Sequence, residues 1–469
     1  MKTKYIKYAT AVILSMTSLG AAAQTSKSAY FLDGYTFKHQ LNPAFEGEHN
    51  YVSIPVLGNL NVGTHGNVGM GTFLYPYNDG LTTFMNGSVT ADEFLGGLKE
   101  RNRLGFNLDM TILSAGIKAW GGFNTFEIGL KSYTSVNLPY DLFDFMKTGM
   151  ANGNRTYTLT DMGVNSQTYV EVALGHARKI NDNLQVGAKV KVLLGGAYAD
   201  FNMERMDITL NENQWVINAN GEVNAALKGL KLPTKEETGN NKTPEENDQI
   251  DWNGIEFESP GLSGVGFALD LGASYKVMDN ITVSAAVNDL GFINWTNNTY
   301  AKTNNEEWTF DGFENIATND DIENNPNSLD NQLEQLGDEL SSFTNLHRVS
   351  ENTTLNEMLA ATLNVGVEYK VHGYEKLAIG LLSHTRFRGQ YTYAEGRLSA
   401  NYSPASWFQF GVNGSVSNLG AAWGWMINFH PRGFNFFIGM DQVPTKLSKQ
   451  FVPVNRMNAN LTLGFNVTY

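Results

Sequence analysis

From residue 102 onward, apolar and polar residues alternate one by one in runs of about ten, broken by short turns of Gly, Asn, Asp or Pro. A period of two sends successive side chains to opposite faces of a strand, so each run is a two-faced β-strand. The C-terminus shows it most cleanly. Leu461, Leu463, Phe465, Val467 and Tyr469 share one face, while Asn460, Thr462, Gly464, Asn466 and Thr468 share the other. Leu363, Val365, Val367 and Tyr369 oppose Asn364, Gly366, Glu368 and Lys370 in the same way, and Leu184, Val186, Ala188, Val190 and Val192 oppose Gln185, Gly187, Lys189 and Lys191. Strands of a soluble sandwich average about five to six residues. Runs such as 267–277 and 281–295 instead reach the roughly 9 to 11 residues that a tilted strand needs to cross hydrocarbon.

Strands are predicted near 61–71, 104–120, 123–137, 167–180, 183–199, 263–277, 280–295, 358–371, 375–387, 391–402, 406–417, 420–430, 434–443 and 457–469. That makes an all-β, transmembrane antiparallel β-barrel of about 14 strands, within a range of about 12 to 16, the even number typical of a single-chain bacterial barrel. Six connections on one side are tight turns. The long stretches 72–103, 138–166, 200–262 and 296–357 all fall on the other side, the pattern of short periplasmic turns and long extracellular loops with both termini periplasmic. Within the loops, the segment from Thr90 reads as a short capped helix, 208–223 as a projecting hairpin and 327–342 as an acidic helix.

Composition agrees with strands in a membrane. The 469 residues include 47 Gly, 12 Pro and no Cys, with only 17% charged, and no Cys means no disulfide, thiol nucleophile or Cys-bound metal. Lys2, Lys4 and Lys7, an apolar stretch from Ala9 to Leu19 and then Ala21, Ala22 and Ala23 before Gln24 form a signal peptide of residues 1–23, cleaved between Ala23 and Gln24. After it, no apolar run is long enough for a spanning helix. The net charge of −14 sits in two loops: 301–357 holds thirteen acidic against two basic residues, and 231–258 eight against three. Such runs are solvated surface, and they disfavour nucleic acid as a partner.

Residues 24–60 precede the first strand and carry Leu41, Asn42, Pro43, Ala44 and Phe45. This element resembles the N-terminal region of the FadL and PorV type of outer-membrane barrel, and the opening from Ser28 to Phe45 is similar to that of an uncharacterised barrel family related to them. The resemblance implies an N-terminal segment plugging the lumen of the barrel at 61–469. Members of that superfamily range from transporters of hydrophobic compounds to shuttle proteins of protein secretion; the long acidic loops at about 200–262 and 296–357 depart from the transporters. Gly464, Val467 and the terminal Tyr469 are similar to the C-terminal assembly signal read by the barrel-assembly machinery.

Alternation assigns Asp109, Glu127, Glu171, Asp270, Glu368 and Glu395 to the lumen, with Lys131, Lys189, Lys191, Lys276, Lys370 and Arg397. A strongly ion-selective pore carries rings of one sign. Balanced signs predict ion pairs that brace the lumen and hold a plug. Ser383 and His384 point to opposite faces and make no catalytic pair, so no enzyme is expected and no cofactor. No His pair has metal spacing, and the acidic run from Asn319 is the one candidate for Ca²⁺. The sequence therefore predicts a channel or transporter for small hydrophobic or amphipathic compounds in the outer membrane of a Gram-negative cell. Its rival is a non-enzymatic scaffold or shuttle partner in protein secretion or surface assembly. Expected partners are outer-membrane lipids, the assembly machinery and an envelope or secretion protein.

Overall fold

The computed structural model describes residues 26–78, 80–151, 153–259, 261–304, 307–311, 346–444 and 458–469. The predicted signal peptide with its Ala23/Gln24 junction, the 327–342 helix and the acidic run from Asn319 lie outside them.

Fourteen antiparallel staves close into a barrel. Each predicted strand corresponds to one stave, and neighbours in sequence are neighbours in the wall. Closure runs through the first stave. Tyr51–Ser53 and Asn59–Gly66 pair on one side with the final strand Ala459–Thr468 and on the other with Arg101–Ala119. The stave begins at Tyr51 and not at 61 because it is interrupted: Ile54 and Pro55 lead into Val56 at φ 66°, and pairing resumes at Asn59. A two-residue turn, Trp120–Gly121, joins Arg101–Ala119 to Gly122–Pro139 with φ positive at both residues, the twist that such a hairpin demands.

At the long-loop end, strands continue past the expected boundaries. Arg155–Lys179 and Leu184–Leu210 pair over nearly their whole length, absorbing much of the stretches taken as loops at 138–166 and 200–262. The predicted hairpin is present, with Ile208 opposite Ile217 in the pairing of Leu184–Leu210 with Trp215–Leu227. So is the short helix Ala91–Leu95, whose N-cap Thr90 accepts from the Glu93 amide at 3.2 Å. Val68, Phe84, Phe94 and Phe143 pack together there, as do Tyr157, Leu159, Ile208 and Leu210, so these loops form a cored layer over the barrel mouth.

Around the wall, alternation appears as burial. Along Gly264–Met278, Val265, Phe267, Leu271, Tyr275 and Val277 are exposed while Gly266, Ala268 and Asp270 are buried. Because closed pairing satisfies the backbone, this outer face can meet hydrocarbon. Aromatic rings border it near the short turns, where Trp407 packs on Phe429, Phe429 on Phe434 and Phe434 on Phe465. Such girdles mark the interface level of membrane barrels.

Leu398 sits midway along Tyr393–Ala405 on the outer face. Leu398→Arg should destabilise the bilayer-folded barrel by about 2 to 4 kcal/mol, the cost of a midplane cation. Denaturant titration in vesicles reads this; a change below about 0.5 kcal/mol would place Leu398 away from lipid.

Candidate functional site

Residues 26–45 thread the lumen and touch wall strands around most of its circumference. Ser26, Lys27 and Ser28 surround the Asp441 carboxylate, which accepts from the Lys27 and Ser28 amides at 2.9 and 2.6 Å and from the Ser26 hydroxyl at 3.1 Å. Farther along, Tyr30 meets the Ser284 hydroxyl at 3.1 Å, the Gly34 amide donates to Gln409 Oε1 at 3.0 Å and the Thr36 hydroxyl to Asn435 at 2.6 Å. Tyr30, Leu32, Tyr35, Phe37 and Leu41 pack with Tyr51, Phe123, Leu382, Met426 and Phe437 into an apolar core inside the barrel.

The Leu41–Phe45 element docks by close backbone approach. Asn42 Nδ2 donates to the carbonyls of Ala273 and Ala285 at 3.2 and 3.3 Å, and its Oδ1 accepts from the Ala44 amide at 2.9 Å. The Leu41 carbonyl accepts from Asn288 at 3.1 Å and Asn364 at 2.8 Å. Gly187 and Gly272 are register partners in the wall directly beneath. A Cβ on Gly187 would lie 2.0 Å from the Pro43 carbonyl, and one on Gly272 2.0 Å from Asn42 Oδ1. Only glycine leaves room for the element here. Phe45 closes the group edge-on to Tyr30.

The charges assigned to the lumen by alternation are gathered into three sets. At mid-height Lys131 pairs with Asp109 and, at 3.5 Å, with Glu171. Lys189 stands 3.9 Å from Glu127, and Lys191 lies 2.9 Å from Asp270, 2.6 Å from Asp289 and 3.7 Å from Glu171. Toward the long loops, Glu395 holds Arg397 at 2.7 Å and Lys27 at 3.2 Å. At the short-turn rim Lys370 pairs with Asp33 at 3.0 Å and Glu368 lies beside it. Lys276 also belongs to the rim, bonded to Asp279 at 2.7 Å in the turn. In the final strand Gly464 packs inward against Phe437, while Val467 and Tyr469 face outward. Ser383 is exposed on the outer face and its neighbour His384 is buried in the lumen.

Several residues of the site escape an alternation rule. Asp289 would face lipid on strict parity, but a bulge shifts the register between Leu269 and Leu271 and sets Asp289 at φ 61°. Its amide then donates to Asp270 at 2.7 Å while its carboxylate joins Lys191. Asp441 lies just past the end of Phe434–Met440, where alternation stops. His39 is part of the threaded segment. Lys189 can only donate, so its contact with His39 Nδ1 at 3.3 Å makes that nitrogen the acceptor and leaves Nε2–H to donate to the Tyr51 hydroxyl at 2.8 Å. Burial, with Lys189 beside it, holds this imidazole well below its ordinary range.

Between the threaded segment and the wall lies a cavity of about 60 Å³, lined by Gln40 and Leu41 below and by Tyr133, Asn288, His384 and Arg386 around it. Arg386 stacks 3.7 Å over the Tyr133 ring. Tyr133 also belongs to an inward apolar cluster with Tyr169, Leu193, Tyr198, Ile293, Trp295 and Leu359. The lumen thus places an aromatic wall next to a charged chamber.

Residues 43–441 match a family of unknown function, DUF5723. No curated protein matches the sequence. Among solved structures, the chain is similar to the toluene transporter TbuX of Ralstonia pickettii at 10% identity, covering 96% of this chain and 95% of that one with a TM-score of 0.43. It is also similar to the toluene transporter TodX of P. putida (9% identity, 96% of each chain, TM-score 0.39). A FadL homologue of Pseudomonas aeruginosa aligns at 11% identity over 96% of this chain and 99% of its own, with a TM-score of 0.36.

Two outcomes test this geometry. Gly272→Val should expel the Leu41–Phe45 element from an otherwise folded barrel, so that trypsin cuts after the neighbouring Lys38; continued protection of Lys38 would refute the close approach. Acid should also loosen the segment. The undocked His39 takes a proton near pH 6.5 and the docked one does not, so docking is undiminished above about pH 6.5 and weakens as much as tenfold per unit below it. Trypsin protection against pH reads the effect, and His39→Gln should flatten the curve; an unchanged slope would remove His39 from the account.

Proposed function

This chain belongs to the DUF5723 family, and we propose that it is an outer-membrane channel for small amphipathic compounds, gated by its N-terminal segment. The observation that carries this reading is the two-sided wall: apolar side chains outward, and inward a charged chamber adjoining an aromatic cluster, with residues 26–45 threaded between them. Such a lumen suits a solute with one polar and one apolar end. In this reading the signal peptide delivers the chain, Gly464, Val467 and Tyr469 serve insertion by the assembly machinery, and both termini face the periplasm.

A second reading has its own support. Trp252, Ile255, Phe257 and Leu262 are exposed on the long-loop end, and apolar side chains grouped there favour a docking surface for another envelope or secretion protein.

Single-channel current in planar bilayers separates the two. The whole chain should conduct in rare, brief openings, and a chain lacking residues 26–45 should conduct continuously. If both are silent, the lumen is not a path and the docking reading takes its place.

A further inference from the structure

Neighbouring antiparallel strands can be joined by two residues, as they are on the long-loop side between Ser417 and Gly420. The hairpin between Leu377–Arg386 and Tyr393–Ala405 spends six, residues 387–392, although Arg386 and Tyr393 are already paired. The extra length goes inward. Arg386, where the hairpin leaves the wall, stacks over the Tyr133 ring. The Arg388 guanidinium donates to Asn165 Oδ1, and Gln390 Nε2 comes within 3.5 Å of Asn202 Oδ1. From the facing wall Arg103 donates to the Thr392 carbonyl at 3.0 Å and to the Gln390 carbonyl. A Cβ on Gly163 would lie 2.9 Å from the Tyr391 hydroxyl. Arg103, Tyr133, Asn165 and Asn202 stand on successive staves, and that of Arg103 is diametrically across the barrel from Arg386.

The hairpin is therefore a strap across the lumen, and its contacts divide into fixed and releasable ones. Within it Gly389–Tyr391 form a 3-10 turn, and the Thr392 hydroxyl donates to the Gly389 carbonyl at 2.7 Å and accepts from the Arg388 amide at 3.1 Å, so the strap is stiff. Its ends are tied to the near wall. The Phe387 amide donates to the Ala361 carbonyl at 2.8 Å, and Asn418 Nδ2 donates to the Thr392 carbonyl at 2.8 Å. Across the lumen, Arg103 and Arg388 both bond neutral oxygens and no carboxylate. Releasing such a bond strands no partner charge, unlike opening one of the buried ion pairs at mid-height. In the latched position Gln390 Oε1 and the Tyr391 hydroxyl are buried without a partner, a cost that hydration removes when the strap lifts.

We propose that residues 387–392 are a hinged strap that sets the size of solute the lumen admits, latched across it by Arg103 and Arg388. Inorganic ions pass beside the strap once the N-terminal segment moves, whereas a bulkier solute passes only when the latch is released. The inference rests on the channel reading and adds to it a second control, on the long-loop side of the cavity that Gln40 and Leu41 bound from below.

The chain contains no cysteine, so Asn165→Cys with Arg388→Cys places one thiol on each side of the latch. The full-length processed chain carrying both is treated with a reducible bis-methanethiosulfonate, and its single openings are recorded in planar bilayers before and after dithiothreitol. Mass spectrometry should find the two thiols bridged within one chain. Bridged channels should keep the unit conductance of the native chain. Reduction should raise it roughly twofold or more and admit neutral polyethylene glycols that the bridged channel excludes, as a widened pore requires. Arg103→Gln should raise unit conductance likewise and leave the frequency of openings unchanged, because that frequency belongs to residues 26–45. Failure to bridge would overturn the strap's position. Equal conductance and polymer exclusion in the bridged and reduced states would overturn its role and leave the channel standing. Silence of the native, bridged and reduced chains alike would overturn the channel reading, and the strap's role with it.

Discussion

Hydrocarbon outside the wall is the constraint from which the rest of the structure follows. A strand in lipid must have every amide and carbonyl paired within the sheet, so the sheet has to close on itself. Once closed, strict alternation gives each apolar residue outside a polar or small residue inside. Fourteen such staves enclose a lumen lined with Asn, Ser, Thr and ionised side chains. Those groups cannot be buried without partners, and two devices supply them. Ion pairs across neighbouring staves are one, and the threaded residues 26–45 are the other.

The threaded segment is held by polar contacts of high local specificity and by an apolar core of moderate size. Asp441 is surrounded by donors from three consecutive residues, and Glu395 couples Lys27 to Arg397. Removing one member of such a buried set costs about 3 to 5 kcal/mol, because the partner charge is stranded. The same property makes the segment a candidate gate. Contacts made by one side chain at a time, such as Asn42 on two carbonyls or His39 on Tyr51, can be broken by a small change of charge without disturbing the wall.

The wall was legible from sequence because one signal, a period of two, determines it along most of the chain. Leu461 to Tyr469 and Leu363 to Lys370 could be assigned to faces residue by residue, and the lumen placement of Asp109, Glu127, Glu171, Lys189 and Lys191 followed. What escaped was whatever departs from that period. Asp289 turns inward through a bulge, Asp441 lies past a strand end, and the first stave hides its start behind the break at Val56. The N-terminal element was visible only as a resemblance; its docking depends on Gly187 and Gly272, whose missing side chains leave no trace in a hydropathy pattern.

Tryptophan quenching by brominated lipid addresses the inside-out arrangement most directly. In single-tryptophan chains, Trp423 lies on the outer face and Trp295 is fully buried inside. Bromine on the acyl chains should quench Trp423 strongly and leave Trp295 nearly untouched. Strong quenching of Trp295 by lipid, or a Trp423 reached by aqueous iodide and not by lipid, would contradict the account at its base.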